Sequence, residues 1–216
     1  MTASVLEVRD LRFAYRRGAE GLFDGLSHAF SAGAVTAVTG PSGRGKSTLL
    51  YVLGLLLTPS SGEVLLDGEA VSDAADGVRA SVRARRVGFV FQDSELDPTR
   101  RVIDSVLEPA LYAGHAREER LDRALALLDR FGLGRRADHK PGQVSGGQAQ
   151  RLAVCRALLM EPDIVLADEP TGNLDRGNAE LVLEALVGTA HTEGSTVVIA
   201  THDPFVLEHV DEVVAL

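Results

Sequence analysis

Lysine is nearly absent from this chain. Of its 22 basic side chains only Lys46 and Lys140 are lysines, and the others are arginine. A sequence that avoids lysine yet keeps one inside a glycine-rich stretch needs an ammonium group there. Tryptophan is missing and there is one cysteine. The lone Cys155 excludes an internal disulfide and fits a reducing compartment; set in an apolar helical pattern, it is expected to be a buried structural thiol. No basic excess is present either. A formal net charge of −9 argues against nucleic acid or an anionic membrane surface as a direct partner, since both call for a basic face. The opening residues, MTASVLEVRD, have no cationic stretch ahead of an apolar one, so no signal peptide is expected. Long apolar runs are lacking too: LLYVLGLLL at 49–57 falls well short of the roughly 20 residues that span a bilayer. A soluble chain is expected, with any membrane component supplied by a partner.

What is present is an alternation of apolar strands and amphipathic helices over 216 residues, enough for one domain with a large core. Strands are expected at 5–15, 25–30 and 34–40, a first helix over Ser47–Leu57, a strand entering a turn at 61–68, and a short apolar strand at 87–91 that ends at Gln92. In REERLDRALALLDRFG, the residues Leu121, Leu125, Leu128 and Phe131 share a helical face, which predicts core packing in a helical insertion over about 93–157. A helix from Gly146 to about Met160, the strand DIVLAD at 163–168, a helix near 178–191, STVVIAT at 195–201 and a last strand near 212–216 complete the pattern. Apolar strands alternating with helices imply an α/β fold with a mainly parallel sheet covered on both faces.

GPSGRGKS at 40–47 matches G-x-x-x-x-G-K-[ST] between a strand and a helix, the context that makes such a match meaningful. Gly40, Gly43 and Gly45 let backbone N–H groups turn toward phosphate oxygens, and the following helix adds the positive end of its dipole. Lys46 is placed to reach β- and γ-phosphates, and Ser47 to offer its hydroxyl to Mg2+. The bland alternative is a glycine turn before an ordinary helix, which leaves lysine and serine unexplained. DIVLADE puts Asp168 and Glu169 at the carboxyl end of a buried strand, where α/β sheets bind ligands. There Asp168 suits a metal and Glu169 suits a general base acting on water. Gln92 and His202 follow two further apolar strands; alone, either would read as ordinary surface polarity. Gln92 is a candidate ligand for the metal or its water, His202 a candidate contact for the γ-phosphate, and Tyr15 a platform for a base. VSGGQAQR at 144–151 holds a second phosphate-type turn. Ser145 suits an N-cap, but two glycines in a first helical turn cost about 1 kcal/mol each against alanine, which suggests that a ligand approaches the backbone.

Taken in order, Tyr15, GPSGRGKST, Gln92, VSGGQ, DIVLADE, GNLD at 172–175 and His202 resemble the ATP-binding-cassette ATPases over essentially the whole chain, 1–216. The resemblance implies a P-loop NTPase fold with an N-terminal antiparallel β subdomain and an inserted helical subdomain. It also implies ATP and Mg2+ as ligands. Residues Gly40, Pro41, Ser42, Gly43, Arg44, Gly45, Lys46, Ser47 and Thr48 would cradle the nucleotide, with Tyr15 on adenine and Gln92, Ser47 and Asp168 around the metal. Two cassettes of this family face head to tail, so Ser145, Gly146, Gly147 and Gln148 would grip a nucleotide held by Lys46 of a second copy in a homodimer, with Asp175 communicating across the interface. This answers why one chain carries two phosphate-type loops. The same resemblance implies a separate transmembrane permease subunit, placing the ATPase on the cytoplasmic face of the membrane. ADEPTGNLD and VGFVFQ look most like the branch that serves macrolide exporters, lipoprotein-releasing complexes and cell division. Val144 and Ala149 are mild departures. Asp97, Arg100 and Arg101 stand where that branch has apolar or small residues, in a stretch that faces the coupling helix, and imply an altered coupling surface. The alternatives are a soluble non-transport ABC ATPase and a nucleotide-dependent scaffold.

Overall fold

The computed structural model describes residues 4–16 and 21–216. Residues 1–3 of the leading stretch and 17–20 after RFAYR lie outside the described residues. Strand β1 (Ser4–Phe13) shows how sequence parity becomes shape. Its apolar residues fall at Leu6 and Val8, then at Leu11 and Phe13, and all four are buried. The alternation slips by one residue between them. A bulge absorbs the slip: the register shifts between Val8 and Leu11, and Asp10 turns to φ 47°. Without that extra residue the second half of the strand would point its apolar side chains at solvent. Around β1 lie β2 (Leu22–Ser31) on one edge and β4 (Ser61–Leu66) on the other, both antiparallel to it, with the two-residue β5 (Glu69–Ala70) beyond.

The second sheet runs in the order β6 (Val87–Val90), β7 (Ile164–Asp168), β8 (Thr196–Ala200), β3 (Val35–Thr39), β9 (Glu212–Ala215), parallel at every pairing. Every residue of β7 and β8 is buried, as strands covered on both faces must be. Helix α1 (Lys46–Leu53) is sandwiched between the sheets. Its Leu49, Leu50, Val52 and Leu53 share one apolar cluster with Leu6, Val8 and Phe30 of the antiparallel sheet and with Leu166 and Val198 of the parallel one. The helix α2 (Asp76–Arg86) precedes β6. Between β6 and β7 come α3 (Val102–Tyr112), α4 (Arg117–Arg130) and α5 (Gly146–Leu158), and the second cluster joins these to α6 (Arg176–Glu193) and the far face of the parallel sheet. The short α7 (Pro204–Leu207) leads to β9.

Three expectations from sequence need correction. The first helix stops at Leu53, four residues early, and is capped by Gly54, which lies close against the sheet: a Cβ there would sit 3.0 Å from Leu166 and 3.2 Å from Phe89. Leu55 then leaves the helix at φ 59°. On α4, Leu125 is 39% exposed, whereas Ala124, Leu127, Leu128 and Phe131 are buried. Leu121, Leu128 and Phe131 of the expected stripe do face the core, so only Leu125 departs from it, and the inner face widens to take in Ala124 and Leu127 because α4 packs against both α3 and α5. Helix α2 has no counterpart in the sequence reading. It buries no residue fully, so it writes no apolar stripe; arginines hold it instead, with Arg79 and Arg83 donating to the Leu55 carbonyl and Arg86 pairing with Asp67 and Asp163.

Candidate functional site

Strands β7, β8 and β3 are neighbours, so their carboxyl ends deliver three loops to one place. From β3 comes the glycine loop of residues 40–45, from β7 Glu169, and from β8 Thr201 and His202. The glycine loop turns on Gly43 (φ 82°) and Gly45 (φ 97°). At Gly45 a Cβ would lie 3.0 Å from Leu22 and Phe23, so the loop is pinned against β2. Lys46 folds back across this loop, with Nζ donating to the carbonyls of Gly40 at 2.9 Å and Pro41 at 3.4 Å. Ser42, Gly43 and Arg44 are exposed at its crest.

Asp168 is only 2% exposed. Burial pushes its carboxyl above the usual carboxylate range, and nearby Glu169 adds to the rise; a hydrogen bond from Ser47 and the charge of Lys46 oppose it. Ser47, Asp168 and, at the end of β6, Gln92 supply a hydroxyl, a carboxylate and an amide oxygen. Among the described residues no group of three or more His, Cys, Asp and Glu gathers. That donor set fits a hard cation completing its shell with phosphate and water oxygens, not a thiolate- or imidazole-bound metal.

Glu169 sits at φ 44°, a left-handed conformation that costs a non-glycine residue about 1–3 kcal/mol and gathers at functional sites. Its backbone N–H donates to the Ala200 carbonyl at 2.9 Å, which holds the twist in place. The side chain is aimed by two partners: Oε1 lies 2.6 Å from His202 Nδ1, and Oε2 accepts from Thr201 Oγ1 at 3.2 Å. His202 is 80% exposed while Glu169 is 15% exposed. A mostly buried carboxylate is thus presented at the surface through an accessible imidazole. Sequence reasoning passed over Thr201, whose position beside His202 was the available signal.

Tyr15 is 65% exposed, rests edge-on against Phe13 with 4.9 Å between ring centroids, and has its hydroxyl 2.7 Å from Thr48 Oγ1. The aromatic candidate and the phosphate loop are therefore joined by a direct bond.

The second loop stands apart. Ser145 caps α5: its Oγ accepts from Gln148 N at 3.3 Å, and Gln148 Oε1 accepts from Ser145 N at 2.9 Å. The two glycines have different reasons. A Cβ on Gly147 would press on Leu174 at 3.2 Å, whereas one on Gly146 would meet nothing within 4 Å. Intrachain packing explains Gly147 and leaves Gly146 open. Asp175 caps α6, accepting from Asn178 N at 3.0 Å.

A cavity of about 780 Å3 lies away from these loops, between α2, β6, α3 and α5. Arg85, Phe89, Tyr112 and Met160 line it, and Tyr112 is 71% exposed. Nearby, charged residues of 93–106 are paired within the stretch and beyond it: Asp97 accepts from Thr99, Arg100 pairs with Asp97 and Glu108, and Arg101 pairs with Asp104 and Asp138.

Comparison with known proteins places this geometry. Residues 23–172 match the family model described as ABC transporter, a span that holds both phosphate-type loops and Glu169 but not Tyr15, Asp175 or His202. The lipoprotein-releasing system ATP-binding protein LolD 1 of Rhodospirillum rubrum is 40% identical, with 100% of this chain and 96% of that protein aligned. The macrolide export ATP-binding/permease protein MacB of Shewanella oneidensis is 41% identical over 100% of this chain, which spans 33% of that protein. Among solved structures, the dimeric post-hydrolysis state of the ATP-binding cassette MJ0796 bound to ADP and Pi superposes with a TM-score of 0.91 at 35% identity, covering 98% of this chain and 94% of that one. Among the described residues no helix is long and apolar enough to cross a membrane.

Proposed function

The chain belongs to the ABC transporter family, and on that premise we propose that it is the ATP-hydrolysing subunit of an export or lipoprotein-release type complex, converting ATP and water to ADP and phosphate. The observation that carries the reading is Glu169, twisted out at the end of β7 and held 2.6 Å from His202, beside a loop that brings Lys46 and Ser47 to the same strand ends. In this reading the backbone of Gly40, Pro41, Ser42, Gly43, Arg44 and Gly45 wraps the phosphates, and Lys46 exchanges its two carbonyl partners for β- and γ-oxygens. Thr48 and Tyr15 hold the α-phosphate end and the adenine. Mg2+ would be held by Ser47, Asp168 and Gln92, and when bound it neutralises charge on the β- and γ-oxygens. Asp168, buried and raised in pKa, gains most from a cation. Glu169 takes the proton of the attacking water, a role worth about 10²–10⁴ in rate, and His202 fixes the orientation of that carboxylate while facing the γ-phosphate.

The open Gly146 is the counterpart of the dimeric arrangement of the solved relatives. Ser145, Gly147 and Gln148 would close on the γ-phosphate held by a second copy, with Asp175 at that interface. The groove lined by Arg85, Phe89 and Tyr112 is where a separate membrane subunit would dock, leaving the chain peripheral on the inner membrane face. A role on nucleic acid is the other reading, and the net charge of −9 goes against it.

Glu169→Gln tests the assignment. The variant should keep ATP affinity and accumulate as an ATP-bound dimer on size-exclusion chromatography, while phosphate release falls by about 10²-fold or more. Hydrolysis at close to the wild-type rate would remove Glu169 from the role of base.

A further inference from the structure

Three hydrogen bonds run from α5 to the backbone on both sides of Gln92. Gln150 Nε2 donates to the Phe91 carbonyl at 3.3 Å. Six residues further along the helix, Arg156 donates from Nη1 to the Glu95 carbonyl at 2.8 Å and from Nη2 to the Ser94 carbonyl at 3.0 Å. Gln92 itself is exposed and has no hydrogen-bond partner among the described residues, so its position is set by the backbone around it.

Neither donor is there for packing alone. Gln150 is 4% exposed, and a leucine would fill a similar volume without desolvating an amide. Arg156 makes no ion pair among the described residues, so its guanidinium fork is committed to two carbonyls. Both donors sit on one uninterrupted helix, Gly146–Leu158, whose first turn is capped by Ser145. A helix is stiff over this length, so its capped end and its two attachments move together.

We propose that α5 is a rigid connector in which Gln150 and Arg156 are positioning residues that tie the backbone around Gln92 to the Ser145 loop. On the function proposed above, Ser145 faces the nucleotide of a second copy and Gln92 faces this chain's own metal. On that reading the clamp sets where Gln92 stands relative to the capped end of α5. The inference rests on that function for its meaning, but the clamp itself can be tested without it.

Gln150→Leu and Arg156→Met remove the donors while keeping helix-forming bulk. Without any nucleotide, amide hydrogen exchange at residues 92–95 should rise roughly fivefold in each variant, with the exchange of β7 unchanged. With ATP and Mg2+, kcat should fall about tenfold while ATP affinity measured without metal stays within about twofold. In a Gln92→Ala background the same substitutions should change kcat by less than about twofold, because a residue that acts through Gln92 has nothing left to act on. Unchanged exchange at 92–95, or an equal fall in kcat in both backgrounds, overturns the proposal. Should Gln150→Leu fail to fold, Gln150→Glu carries the same test: it keeps the shape and sets an acceptor against the Phe91 carbonyl. A wild-type protein that turns over no ATP, yet shows the exchange changes, would sink the function and keep the clamp.

Discussion

At the scale of single residues, the chain separates chemistry that is exposed from chemistry that is silenced. Cys155 is fully buried on α5, with its Sγ near the Leu127 carbonyl at 3.6 Å. Burial is the leading cause that pushes its thiol up to about 12, so at pH 8 only about one molecule in 10,000 carries the reactive thiolate. Iodoacetamide at pH 8 should leave the native protein unmodified over hours and label it rapidly in denaturant; fast native labelling, read by mass spectrometry, would contradict the burial. His202 is the opposite case, exposed and bonded to Glu169. His202→Ala frees Oε1 of that carboxylate and should lower kcat by about 10²-fold or more with a smaller change in ATP affinity. Equal losses in both would make it a binding group only.

The elements show where pattern reading succeeds and where it slips. The P-loop strand and helix, the β7 strand and the capped start of α5 were legible because each carries its signal within about ten residues: an apolar run, a glycine turn, a serine cap. Helix α4 was legible as a helix and in three residues of its stripe but not at Leu125, because two neighbours decide how far the inner face extends. Leu128→Ala or Phe131→Ala should therefore destabilise the protein by about 2–5 kcal/mol, and Leu125→Ala by no more than about 0.5 kcal/mol, in urea unfolding followed by circular dichroism. Comparable losses at Leu125 and Leu128 would return Leu125 to the core-facing stripe. Helix α2 was invisible for a related reason. Its anchors are guanidinium–carbonyl bonds and ion pairs to distant residues, and the i, i+4, i+7 spacing of Arg79, Arg83 and Arg86 reads from sequence as a solvated charged face.

For the whole molecule, Gly146 gives the sharpest contrast. Alanine at that position meets nothing within the chain and should leave the monomer as stable as before, or more so by about 0.5–1 kcal/mol, because glycine in a helix is the poorer residue. On the proposed dimer, ATP-driven association should nonetheless weaken by about tenfold or more in sedimentation-velocity ultracentrifugation, since the added methyl would lie where the second copy's nucleotide approaches. Dimerisation that survives Gly146→Ala intact would mean that the loop serves its own chain.

Residue order alone was enough to assign the family and the P-loop fold, and to nominate the lysine, serine and carboxylates that the proposed nucleotide chemistry uses. These follow from short contiguous motifs whose chemistry depends on backbone turns of a few residues. Tertiary structure alone decided how those groups are coupled. The order of β6, β7, β8 and β3 brings Gln92, Glu169, His202 and Lys46 to one edge. The Glu169–His202–Thr201 triangle, the Tyr15–Thr48 bond and the grip of α5 on the Gln92 loop all join residues more than thirty positions apart, and separations of that kind are settled by sheet order and core packing, which no local pattern encodes.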